Sequence, residues 1–298
     1  MLQVRVPATS ANLGPGFDAL GIALDLDLIV RAVASDRDRF TYRGDGHVPD
    51  SPHNLVHQGF RAAYHALDLE PPRMAFEADN PIPLARGLGS SSAALVAGAA
   101  LADALLGERL GREAVFRLVA RLEGHPDNAA PAIFGGFTVS AADEAGAFVS
   151  ASLPLPAGWR LLYGVPDFEL PTAKARAVLP SSYPRSDAVR TSGRAALWVV
   201  AVANNRPELL RVASLDVLHE PYRSPLVPGL DPCRAALRAR GAFAAYLSGA
   251  GPTLGVVTDG SGADACRTLL ADYAGDAGKV LDLAAGRGYE VGTAPEPE

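Results

Sequence analysis

Apolar and polar positions alternate with a period of two near the start of the chain. Val4 and Val6 come first, then Ile22, Leu24, Leu26, Leu28 and Val30, with Asp25 and Asp27 between them. This alternation predicts strands with one buried face. The connection Ala11-Asn12-Leu13-Gly14-Pro15-Gly16-Phe17-Asp18 is rich in turn residues and carries two polar side chains, Asn12 and Asp18. The apolar period then lengthens to that of a helix over 55–67, 93–106 and 113–122, with short strands over 74–77 and 136–140. Leu-Pro-Leu-Pro-Ala-Gly at 153–158 marks a boundary, so the pattern predicts two domains, 1–155 and 156–290. In the second half, strands are expected at 159–165, 243–247, 253–257 and 279–282, and helices at 186–203, 207–215, 232–240 and 263–273. The Pro/Glu-rich end, 291–298, is expected to fray. Strands and helices mix without a strict βαβ alternation, which predicts an α+β fold.

Composition narrows the class of function. Apolar residues make up 48% and charged residues 20% of the 298 positions, as in a globular protein. A net charge of −6 argues against nucleic acid or an anionic membrane as partner. The longest apolar helix candidates, 93–106 and 195–203, fall short of the roughly 20 residues of a membrane span. Met-Leu-Gln-Val-Arg-Val-Pro lacks the layout of a secretory signal, so a cytoplasmic location is expected. Cys233 and Cys266 are too few for a disulfide scaffold and too far apart for a metal clip. His53 and His57, spaced i, i+4, read as a solvated helix face, while His47, His65 and His219 are isolated.

One segment carries more chemistry than the rest. Pro83-Leu84-Ala85-Arg86-Gly87-Leu88-Gly89-Ser90-Ser91-Ser92-Ala93 is a loop of small residues that opens the helix starting near Ala93. Glycines let backbone N–H groups approach an anion, and a helix start adds free donors and partial positive charge. The loop therefore reads as a phosphate cradle, with a plain helix cap as the alternative. It is not a Walker loop, because no Lys-Ser/Thr pair follows the glycines. It is not the dinucleotide fingerprint either, because position 92 is serine. A serine hydrolase elbow, Gly-X-Ser-X-Gly, is absent from it. Arg86 adds a charge near the phosphates or faces solvent.

Three other clusters accompany the loop. Glu123-Gly124-His125-Pro126-Asp127-Asn128 reads by itself as a loop and cap, but a carboxylate near a phosphate loop also suits Mg²⁺, for which Glu123 and a loop serine would suffice. Ser248-Gly249-Ala250-Gly251-Pro252-Thr253 is either a tight hairpin or a close backbone approach. Thr172 and Arg176, with Arg223 further on, include the residue type suited to two-point capture of a carboxylate.

Together these segments resemble the GHMP kinase superfamily, whose phosphate motif Pro-X-X-X-Gly-Leu-Gly-Ser-Ser falls here on Pro83 to Ser91. Pro-Ala-Thr-Ser-Ala-Asn-Leu-Gly-Pro-Gly-Phe-Asp at 7–18, His-Pro-Asp-Asn-Ala-Ala-Pro-Ala-Ile-Phe-Gly-Gly at 125–136 and Pro-Tyr-Arg-Ser-Pro-Leu-Val-Pro-Gly at 221–229 resemble the homoserine kinase family within it. The resemblance implies an N-terminal domain with a left-handed βαβ crossover and a ferredoxin-like C-terminal domain. It implies transfer of the ATP γ-phosphoryl group to the side-chain hydroxyl of L-homoserine, with Mg²⁺, for threonine synthesis, and a homodimer. The motif from Pro83 to Ala93 would hold ATP, with Asn54 on the adenine side and Ser91 and Glu123 at Mg²⁺. Asn12, Asp18, His125, Asn128, Thr172, Arg176 and Arg223 would surround the amino acid. Catalysis would fall to Glu123, Asp127, Asn128 and Ser91, with orientation rather than a strong base driving proton loss. The rival readings are a kinase for another small alcohol, such as mevalonate or a sugar, and a non-catalytic nucleotide-binding relative.

Overall fold

The computed structural model describes residues 1–50 and 53–294. The first half runs β1 (Leu2–Asn12), β2 (Gly16–Ala34), β3 (Arg39–Gly44), α1 (Leu55–His65), β4 (Met74–Asn80), α2 (Ser90–Leu105), α3 (Gly111–Glu123), α4 (Ala129–Phe134), β5 (Phe137–Ala142) and β6 (Phe148–Leu153). The second runs β7 (Arg160–Val165), α5 (Thr172–Ala177), α6 (Arg185–Ala203), α7 (Leu210–Ala213), α8 (Glu220–Arg223), α9 (Leu230–Ala239), β8 (Ala244–Leu247), β9 (Leu254–Thr258), α10 (Ala263–Ala274), β10 (Lys279–Leu283) and β11 (Glu290–Thr293).

A seven-stranded sheet gathers the first six strands and β11. The long β2 is its spine, pairing with β1, β4 and β5 along different stretches. β3 and β4 pair in parallel with α1 as the crossover between them. The remaining strands, β7 to β10, form an antiparallel sheet in the order β10-β7-β9-β8. With α10 between β9 and β10, this is the βαββαβ arrangement of a ferredoxin-like sheet.

The elements follow from their residues. In α2, Ala, Leu and Val surround the axis, and the helix is buried on most sides beneath β1 and α1. Trp198 of α6 is fully buried, stacked 6.1 Å from Phe137 of β5 and edge-on to Tyr246 of β8. One indole thus joins the two sheets in a common core.

Three expectations need correcting. The segment 291–298 was expected to fray, yet Val291, Gly292 and Thr293 lie in β11, paired antiparallel with β1. Arg112 holds that return: it donates to the carbonyls of Ile133 and Tyr289 at 2.6 and 2.7 Å and lies 4.2 Å over the Tyr289 ring. The unpaired outer edge of β1 supplies the ladder that composition alone cannot reveal. Residues 295–298 lie outside the described residues. The second correction concerns His57, which is buried with its ring 4.7 Å from Phe76 rather than on a solvated face. The third concerns His219, which is fully buried beside the cleft described next.

Candidate active site

A cleft of about 320 Å³ lies between the two sheets. Its walls include Asn12, Asp18, Asn54, every residue from Pro83 to Ser92, His125, Asp127, Asn128, Thr172, Arg176 and Arg223. Residues scattered over more than 200 positions of sequence thus converge, as required of a common site. Two expected residues stand behind the wall: Ala93 is fully buried, and Glu123 lies beneath the loop serines.

The glycine-serine loop turns its carbonyls into the protein. Leu84 O accepts from Arg86 Nη1 (3.0 Å), Ala85 O from Leu170 N (3.1 Å), Arg86 O from Thr253 N (3.4 Å), Gly87 O from Ser248 Oγ (2.7 Å), Leu88 O from Thr9 N (3.1 Å) and Gly89 O from Ala93 N (3.0 Å). Every carbonyl from Leu84 to Gly89 is engaged, those of Ala85 to Leu88 by other segments of the chain. The start of α2 has no side-chain cap, leaving its first-turn N–H groups as free donors on the cleft.

Two glycines make this possible. Gly87 has φ +80°, and a Cβ there would lie 2.2 Å from Ser248 O. Gly89 has φ +71°, and a Cβ would lie 1.8 Å from Thr9 Oγ1. Neither position can hold a side chain without displacing backbone or breaking the Thr9 contact.

Beneath the loop, Ser92 Oγ donates to the Glu123 carboxylate, 2.6 Å from either oxygen. Ser92, one position past the expected Ser91, is therefore the hydroxyl that bonds this carboxylate, while Ser91 stays exposed on the wall of the cleft. Burial pushes the Glu123 carboxyl up to about 7, against the opposing pull of Ser92 and the His125 charge. A carboxylate and hydroxyls are hard oxygen donors, the set that Mg²⁺ prefers.

Asn54 is spent on structure. Its Oδ1 caps α1 at Val56 N (2.9 Å) and its Nδ2 donates to Pro49 O (3.0 Å), although the residue still borders the cleft. Arg86 also differs from both expectations. The residue borders the cleft, but its guanidinium is tied to the second half of the chain: Nε donates to Pro166 O (3.1 Å) and Nη2 to Asp167 (2.7 Å).

At the other end of the cleft, charge accumulates. Arg176, the last basic residue of α5, grips Asp18 through two bonds of 2.5 and 3.0 Å. Asn12 sets Asp18 in place: its Oδ1 accepts from Asp18 N (3.0 Å) and its Nδ2 donates to Gly249 O (2.9 Å). Both Asn12 (φ 70°) and Asp18 (φ 56°) are left-handed, a conformation that Asn and Asp tolerate better than other side chains. Burial opposes the charge on Arg176, but the Asp18 bond and charge outweigh it and raise its pKa.

Arg223 is buried. Its Nε donates to Ala175 O, and its Nη1 donates to Gly249 O and His219 Nδ1. His219 in turn donates from Nε2 to Gly14 O at 2.8 Å, which fixes a neutral tautomer. Burial first, then the Arg176 charge, bring Arg223 down to about 10, and burial brings His219 down to about 4. Phe17 completes this end, its ring 5.3 Å from the guanidinium carbons of both Arg176 and Arg223.

Between the two ends sit His125, Asp127 and Asn128. His125 Nδ1 and Asp127 Oδ1 are 2.6 Å apart, and Asn128 Nδ2 donates to the same oxygen at 3.3 Å. Thr9 Oγ1 donates to Asn128 Oδ1 at 2.8 Å, so a residue pressed under Gly89 also aims this amide. Burial lowers the His125 pKa, but the bond to Asp127 and the charges of Asp127 and Glu123 raise it above the ordinary imidazole value.

Among the wall residues that sequence reasoning missed are Phe17, Tyr42, Asn80 and Leu170. Asn80 donates to Ser90 Oγ (3.1 Å) and Tyr42 Oη (3.3 Å) and accepts from Ile82 N (3.1 Å). Its only sequence signal was an amide directly before Pro81, three positions ahead of the motif's Pro83. Phe17 lies inside the 7–18 segment, but an aromatic in a turn gives no hint of two arginines.

Known proteins share these features. The N-terminal domain of the GHMP kinases matches residues 54–136, and their C-terminal domain matches 199–274. A homoserine kinase of Thermus thermophilus is 52% identical, over 96% of this chain and 97% of its own. A homoserine kinase of Solibacter usitatus is 46% identical over 85% of this chain and 83% of its own. Among solved structures, a homoserine kinase from Cytophaga hutchinsonii superposes with a TM-score of 0.86 at 29% identity, covering 97% of this chain and 96% of that one. A mevalonate kinase, 12% identical with a TM-score of 0.66 and covering 96% and 99%, shares the fold alone.

Proposed function

The chain belongs to the GHMP kinase family, and from that membership and the geometry of its cleft we propose that it is an ATP-dependent kinase that phosphorylates the side-chain hydroxyl of L-homoserine. The observation that carries this reading is the loop from Leu84 to Gly89, all of whose carbonyls are bonded to the protein while the uncapped start of α2 faces the cleft. Such a loop offers N–H groups and no oxygens to what lies in front of it, and that suits the oxygens of a triphosphate.

The acceptor end supports an amino acid. Asp18 offers a carboxylate to an ammonium, and Arg176 and Arg223 offer guanidinium groups to a carboxylate. Mevalonate and sugars have no ammonium to meet Asp18. In this reading the substrate zwitterion replaces the mutual partnership of Asp18 and Arg176, each charge taking one end of the ligand.

Glu123, with Ser92 and Ser91, would hold Mg²⁺, whose charge offsets that of the triphosphate. The chain's own residues orient the acceptor. Asn128, aimed by Thr9 and Asp127, would hold the hydroxyl, and His125 would border the ammonium end. An amide does not take up a proton usefully, and Asp127 Oδ1 already serves His125 and Asn128. Transfer through a loose transition state rests mainly on alignment and charge neutralisation, with proton loss late. Among the described residues no helix is long and apolar enough to cross a membrane.

ATP consumption measured with L-homoserine, mevalonate and galactose in turn tests the reading. Stimulation by homoserine alone is expected, and its absence would overturn the assignment.

A further inference from the structure

Arg86 is the charged member of the phosphate loop, yet its side chain points to the other half of the molecule. Its guanidinium reaches Pro166 O at 3.1 Å and Asp167 at 2.7 Å, and it lies 4.0 Å from Glu169. The arginine side chain is only 19% exposed, so these contacts hold a shielded group in one position. One residue further on, Leu170 N donates to Ala85 O at 3.1 Å, and Ala85 itself is left-handed at φ 52°. The chain from Pro166 to Leu170 leads directly into α5, the helix that carries Thr172 and Arg176 to the acceptor end. The backbone of the phosphate loop and the start of the acceptor helix are thus clasped by the Arg86 fork and by one main-chain bond.

We infer that Arg86 is a positioning residue that couples nucleotide binding to acceptor binding, by transmitting the order of the loaded phosphate loop through Pro166 and Asp167 to α5. The inference rests on the kinase reading above. A loop immobilised by a triphosphate fixes Ala85 and Arg86, and their partners then hold Arg176 ready for a carboxylate. Lysine would not serve equally, because a point ammonium cannot meet Leu84 O, Pro166 O and Asp167 together in the planar fork geometry. By linkage the effect is mutual: bound acceptor tightens nucleotide by the same factor.

The test is titration calorimetry with L-homoserine, with and without a non-hydrolysable ATP analogue and Mg²⁺, and with the analogue alone. In the native protein the analogue should tighten homoserine binding by about 5-fold or more. Asp167→Ala, which lies outside the loop, and Arg86→Ala should both bring that ratio close to one. Arg86→Lys should recover part of the ratio. A purely structural role would lower thermal stability without changing the ratio. The inference is overturned if the native ratio is one, or if both alanine variants keep it. Failure of the analogue to bind native protein would instead overturn the phosphate-loop reading, and the coupling with it.

Discussion

Asp18 and Arg176, 158 positions apart in the chain, neutralise each other through a two-point ion pair on the wall of the cleft. The pair is about one-third exposed on each side, so its own contribution to stability is small. Its larger consequence is that either substitution leaves a charge facing the pocket without its partner. Arg176→Ala should raise the homoserine KM by on the order of 10- to 100-fold while changing the ATP KM little. Steady-state kinetics with each substrate varied in turn checks this, and an equal rise in both KM values would place Arg176 outside the acceptor site.

Glu123 makes a different prediction. Glu123→Gln keeps the size and the Ser92 contact but removes the charge required of a metal ligand. The expected result is a fall in kcat on the order of 10²–10³-fold at fixed Mg²⁺, with only a small change in melting temperature. Activity unaffected across a Mg²⁺ titration would remove Glu123 from the metal site.

Asp127 separates two mechanisms. If it only aims His125 and Asn128, Asp127→Asn should slow turnover by about 10- to 100-fold. A loss beyond about 10⁴-fold, with an unchanged circular dichroism spectrum, would identify Asp127 as a true general base.

His219 predicts how stability depends on pH. Burial lowers its pKa from 6.5 to about 4 in the folded protein. The folded state therefore prefers the neutral ring, and the unfolded state binds the extra proton between pH 4 and 6.5. Stability from this group is complete above pH 6.5 and is lost as pH falls towards 4, by about 3 kcal/mol in all. His219→Asn should be less stable than the native protein at pH 7.5, but should lose less stability on acidification to pH 4.5. Thermal melts at the two pH values measure the difference, and parallel losses would contradict the burial argument.

The shape of the glycine-serine loop was legible because its requirement is local. Two glycines in left-handed conformation and an uncapped helix start are properties of a few adjacent residues, and Gly87 and Gly89 state them openly. The carboxylate partner was legible less fully. Glu123 lies under the loop, bonded to Ser92, but whether Ser91 or Ser92 meets it depends on the rotation of α2 about its own axis, and that is decided by packing on both flanks. Arg86 illustrates the limit more sharply. Its neighbours in sequence suggested phosphate or solvent, whereas Pro166 and Asp167 capture it from a strand end eighty positions away.

By itself, the sequence determined the order and type of nearly all the long elements, the turn-rich glycine-serine loop and the set of polar side chains available for chemistry. Those follow from apolar periodicity and from glycine, proline and capping residues, all of which act within a few positions. Tertiary structure alone decided which of those side chains meet. It brought 290–293 back onto β1, buried His219 behind Arg223, paired Asp18 with Arg176 and clasped Arg86 to Asp167. Each of these contacts joins distant segments, so it is set by how sheets and helices pack around a shared core, and no spacing along the chain encodes it.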